Sequence, residues 1–237
     1  MIQLSRYMVA TGVSLMLVGA AAAGSVGDFE KAMRSAYSDY RVALFQTNTD
    51  NRDAAAQAVE SFRQKWAALI AANAEAPPQY ADDPGYGPTL MEVAAIADGA
   101  AAQVADGKLA EAHGTLEEIR DQIGDLHERN GITAFSDRMN AYHAKMEEIL
   151  VGDYDGFSSA GLGDLREDAA VLAYLADDIA AHPPAESADP AYEVLLNSVS
   201  DSVATLLVAV RSSDAVSVKQ AINGLKVPYS KFFLKFG

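Results

Sequence analysis

The sequence predicts an all-α protein, organised as two tandem up-down-up-down four-helix bundles behind an N-terminal signal peptide. Three observations carry that expectation. Apolar residues recur at steps of three and four through most of residues 28–237, as along Leu109, Ala112, Leu116, Ile119, Ile123 and Leu126, the period that lines one face of an α-helix. Alanine outweighs the β-branched types, and no alternating Val/Ile/Thr run flanks an Asn-Gly turn, so helix is favoured over sheet. Finally, the order of loops, helix starts and glycines occurs twice, 106 residues apart (183 − 77), which is how a tandem repeat reads in sequence.

The N-terminus, MIQLSRYMVATGVSLMLVGAAAAGSVGDFEK, has Arg6, an apolar core from Met8 to Leu17 and an Ala-x-Ala site near Ala21–Ala23. That composition predicts a secretory signal peptide over residues 1–23 and a periplasmic mature protein. The apolar core is short for a spanning helix, so no membrane insertion is expected after signal cleavage.

In the first copy, residues 28–131, Phe29, Met33, Tyr37, Tyr40 and Leu44 define one helix over about 28–45. Val59, Phe62, Trp66, Leu69 and Ile70 define a second over about 53–75, after punctuation at Asn48–Asn51. The stretch APPQYADDPGYGP (76–88) is too rich in Pro and Gly for regular structure and reads as a loop. A third helix spans about 89–105, Asp106-Gly107 turns the chain, and Lys108–Gly131 forms the fourth. In the second copy, residues 132–237, Pro77-Pro78 recurs as Pro183-Pro184, Asp83-Pro84 as Asp189-Pro190, Tyr86 as Tyr192, Met33 as Met139 and Gly131 as Gly237. Two differences stand out: Pro228 falls inside the fourth helix, where it should kink or end it, and His127 is replaced by Phe233.

Eighteen Lys and Arg against 33 Asp and Glu give a net charge of −15, which repels phosphate backbones and argues against nucleic-acid binding. The chain has no cysteine, which removes disulfides, thiolate metal sites and covalent haem attachment. No nucleophile and base pair or phosphate-binding glycine loop is visible, so an enzyme is not expected. Acidic clusters such as Asp82-Asp83 and Glu147-Glu148 read as solvated faces or loop, and His113 and His182 as surface or loop residues. Met139, His143 and Met146 share one helix face at i, i+4 and i+7, a set of soft donors for Cu(I) that equally suits packing in a core. Met33 and His127 are the other candidate pair. Met33 lies four residues after Phe29 and His127 four before Gly131, which at 1.5 Å per residue places both roughly 6 Å from the same end of an antiparallel bundle.

The first copy resembles the soluble cytochrome b562 family over nearly all of 28–131. The similarity rests on the DFEKAM start, the AAQAVESFRQKWAA second helix, the PPQYADDPGYGP loop, the DGK turn and the histidine of LHERNG. It implies a periplasmic four-helix bundle in which Met33 and His127 bind a haem b iron and pass single electrons to a redox partner protein. Where that family packs phenylalanines of its third helix on the haem, this chain has Val93 and Ala97. The alternative expectation is a haem-free periplasmic binding or scaffolding bundle.

Overall fold

The computed structural model describes the backbone of residues 17–237 and the side chains from residue 26 onward. The expected signal peptide, residues 1–23, lies outside the residues described with their side chains. Everything regular among the described residues is helical: α1 (Leu17–Asn48), α2 (Arg52–Ala72), α3 (Tyr86–Ala105), α4 (Leu109–Arg129), α5 (Phe135–Val151), α6 (Ser159–Ala181), α7 (Ala191–Ser212), α8 (Ala215–Asn223) and α9 (Lys226–Phe236). The all-α expectation is met.

Helix α1 packs along α2, α2 on α3, α3 on α4, and α4 returns to α1; α5, α6, α7 and the α8–α9 pair are joined in the same sequence of contacts. Each set encloses its own apolar core, one drawn from Phe29 to Leu126 and the other from Met139 to Phe236. We call them the first and second halves. Local chemistry sets the ends of the helices. The Asn51 side chain accepts the Ala54 N–H at 3.3 Å and Ser158 accepts that of Gly161 at 3.2 Å, satisfying donors that the first turn leaves without helical partners. Gly131 takes φ 66°, a left-handed conformation that lets the Ile132 N–H fold back onto the His127 carbonyl at 2.9 Å.

The 76–88 segment is more ordered than its composition suggests. Pro78–Tyr80 forms a 3-10 turn and α3 already begins at Tyr86, with Gly87 and Pro88 in its first turn, where proline's missing N–H is not needed. Tyr80 and Tyr86 are buried and stack at 5.4 Å, with Phe29 edge-on to Tyr80 at the same separation, so the segment closes one end of the first core.

Pro228 has the effect expected of it, displaced along the chain. The fourth helix of the second half is broken at Gly224–Leu225, and Pro228 sits in the first turn of α9. A proline ring clashes with the carbonyl four residues earlier, which here is Gly224, where the break occurs. Buried residues still fall in matching places 106 residues apart (192 − 86): Tyr86 and Tyr192, Leu90 and Leu196, Val93 and Val199, Ile119 and Leu225, Leu126 and Phe232.

The turn into α6 is tight. Asp155, Gly156 and Phe157 all have positive φ, and this returns the Tyr154 backbone onto Gly161, where an added Cβ would collide with the Tyr154 carbonyl. Gly161→Ala should therefore lower stability by about 1–3 kcal/mol through overpacking, although the residue is helical. Gly163→Ala, where a Cβ meets nothing within 4 Å, should gain up to about 1 kcal/mol from helix propensity. Urea midpoints compared for the two variants check this; equal shifts of the same sign would refute the steric account.

Candidate functional site

Where the halves meet, α1 and α4 of the first face the start of α5, the Pro183-Pro184 segment and the C-terminal residues of the second, around a cavity of about 820 Å³. Both Met33 and His127 line it. Met33 arrives on the inner face of α1, 4 % exposed, and His127 on the last turn of α4, 2 % exposed. Sequence spacing placed them at one end of a bundle; the structure brings them to one cavity, bounded on its far side by the second half.

His127 is held in an unusual way for a buried imidazole. Its Nδ1 lies 2.9 and 3.0 Å from the two carboxylate oxygens of Asp137, on the first turn of α5, while its Nε2 is buried with no hydrogen-bond partner. A buried polar atom without a partner costs roughly 1–3 kcal/mol. An imidazole whose Nδ1 is engaged by a carboxylate and whose Nε2 lone pair is free is the arrangement that ligand histidines adopt at metals. Asp137 escaped sequence reading because it belongs to the other copy. The available signal was a charge reversal at equivalent positions, Lys31 in the first copy and Asp137 in the second.

The remaining cavity wall is mixed. Tyr37, Ile123, Phe135 and Phe236 supply apolar surface, and Lys31, Arg34, Arg41, Arg138 and Lys235 supply positive charge in a protein whose net charge is −15. Arg138 is paired with Asp178, Lys235 with Asp189 and Arg34 more loosely with Glu186. Arg41 differs: Nη2 donates to the Lys235 carbonyl at 3.3 Å, Nε is buried without a partner, and burial lowers the guanidinium pKa. A haem b at this place requires an imidazole and a thioether on one cavity, apolar cover and cations for its propionates, and all are present. The volume also falls among those of ordinary ligand sites, roughly 300–1,000 Å³. The residue types suit the group, while the His127 Nε2 itself is closed off from the open space of the cavity. Val93 and Ala97 are packed inside the first core and do not line this cavity, whose apolar wall comes from the seam.

The other histidines have structural partners. The His113 Nδ1 lies 3.0 Å from the Thr47 hydroxyl and 3.1 Å from the Leu44 carbonyl, tying the start of α4 to the end of α1, so this half-buried residue has partners on a neighbouring helix. His182 is exposed at the end of α6, with Nδ1 2.9 Å from the Asp178 carbonyl. The copper candidates are otherwise engaged: Met139 and Met146 are fully buried in the second core, while the His143 Nδ1 accepts from the Arg120 guanidinium at 3.0 Å. A fixed cation on the donor nitrogen opposes binding of another cation. Among the described residues no three His, Asp or Glu side chains group as a metal site. Comparison with protein-family models, curated proteins and solved structures finds no match to this chain.

Proposed function

We propose that the protein is a periplasmic, cytochrome b562-like electron carrier, built as two tandem up-down-up-down four-helix bundles (28–131 and 132–237) after a signal peptide, with one haem b held by Met33 and His127. The observation that carries this reading is the His127 imidazole, buried on a ligand-sized cavity with Nδ1 held by a carboxylate and Nε2 unpartnered, beside a methionine on the same wall. Duplication is supported by the matching buried positions, and restriction of the site to one copy by Phe233 in place of His127. Bound haem b supplies one-electron chemistry, and thioether with imidazole ligation suits it to electron transfer. The chain's residues do the rest. Tyr37, Phe135 and Phe236 exclude water, the cavity cations meet carboxylates, and the acidic surface steers a basic redox partner. On this reading the protein carries electrons and acts on no substrate.

Haem titration of the purified full chain tests it. A Soret band should form at stoichiometric haem, with His127→Ala abolishing tight binding and Met33→Ala retaining haem with an altered spectrum. A missing band, or one that His127→Ala leaves unchanged, would sink the proposal.

A second reading is favoured by Arg41, whose Nε has no partner, and by Lys31, which makes no ion pair among the described residues. Two cations on a partly apolar cavity suit a haem-free binding module for an amphipathic carboxylate. Protein that refuses haem yet binds a long-chain fatty acid, with affinity lost in Arg41→Ala, would select this reading over the first.

A further inference from the structure

We infer that Asp137, contributed by the second half, is the positioning residue of the first half's site: it fixes the His127 tautomer across the seam so that Nε2 carries the lone pair. The inference rests on the haem reading only for its consequence at iron; the positioning itself stands on the geometry.

Both Asp137 oxygens lie within 3.0 Å of Nδ1, and a carboxylate is an acceptor only, so Nδ1 must be the protonated nitrogen. The carboxylate is in turn located by its own helix, since Oδ2 accepts the Ala134 N–H at 2.7 Å at the start of α5. It is therefore a fixed acceptor and not a mobile surface group. Had His127 instead kept its proton on Nε2, a donor would be buried unsatisfied while two lone-pair-bearing atoms, Nδ1 and a carboxylate oxygen, faced each other. With the proton on Nδ1, the one unsatisfied group is a lone pair aimed away from Asp137, and the ring borders the cavity.

The repeat makes the pairing informative. At the two positions involved, the copies differ in complementary ways. His127 corresponds to Phe233, and Asp137 to Lys31. Neither copy holds both residues, and the two that would interact meet only across the seam. Phe233, which replaces the histidine, packs against both cores. The second half, which carries Phe233 where the first has His127, thus completes the site of the first through Asp137 and walls it with Phe135 and Phe236.

The test uses the full chain, purified without haem and labelled with 15N histidine. The His127 ring should show Nδ1 protonated and Nε2 bare. In the isosteric Asp137→Asn, whose amide can donate to Nδ1, the population should move to the Nε2-protonated form, and haem affinity should fall 10- to 100-fold, the usual range for loss of such a partner at a metal ligand. An Nε2-protonated or charged ring in the unaltered protein overturns the proposal without any variant, and so does an unchanged tautomer in Asp137→Asn. If the tautomer moves as expected while His127→Ala leaves haem binding intact, the positioning holds and the haem reading fails.

Discussion

Trp66→Ala should destabilise the protein by about 3–5 kcal/mol, the range for truncating a fully buried aromatic residue. Trp66 is 1 % exposed, lies 5.5 Å from the Phe62 ring and donates its indole N–H to the Leu90 carbonyl of α3 at 2.9 Å. It is the bolt between α2 and α3, and the helices around it cannot close over the void, because Phe62, Val59 and Leu69 already hold packed positions. For a chain of this length each kcal/mol corresponds to roughly 2–4 °C, so the midpoint should fall by roughly 6–20 °C. Trp66→Phe keeps most of the ring and loses mainly the hydrogen bond, and should cost about 1–2 kcal/mol. Far-UV circular dichroism is the suitable probe, since Trp66 is the only tryptophan and its fluorescence disappears with it. A loss below 1 kcal/mol for the alanine variant would mean that the α2–α3 contact is not what holds the first core.

Helices were legible because each buries a stripe, and a stripe has a period. Leu109, Ala112, Leu116, Ile119, Ile123 and Leu126 of α4 are all buried, as their spacing required. Segment 76–88 was less legible, because Tyr80 and Tyr86 belong to the core through stacking with Phe29 and not through periodicity. Pro228 announced a break but not its position, which depends on the carbonyl four residues back. For the candidate site, Met33 and His127 could be placed at one level from helix geometry. Asp137 could not, because a contact between two copies follows from how the halves dock, and helical period carries no information about that. The same limit hid Arg120–His143, which joins α4 to α5 although each residue, read within its own copy, lies on a helix flank.

That contact gives the protein a pH dependence of predictable sign. Burial is the main cause and the Arg120 guanidinium the next, and together they lower the His143 pKa from 6.5 to about 4, against the opposing pull of Glu147 on its own helix and Glu117 on α4, with Lys226 on α9 adding to the depression. The side chain is 16 % exposed and stacks on Tyr229 at 5.2 Å, so solvent screening is limited. Below pH 6.5 the unfolded chain binds a proton that the folded chain refuses, and folding loses stability as pH falls until about pH 4, below which both forms are protonated. The gap corresponds to about 3 kcal/mol at 1.36 kcal/mol per pH unit. Stability from this residue is thus fully present above pH 6.5 and withdrawn between 6.5 and 4. His143→Gln can still accept from Arg120 but cannot titrate, so urea midpoints of the two proteins should diverge across that window, the unaltered protein falling further. Parallel curves from pH 7 to pH 4 would show that protonation of His143 is not resisted by the fold, and that Arg120 does not bind the halves through a neutral imidazole.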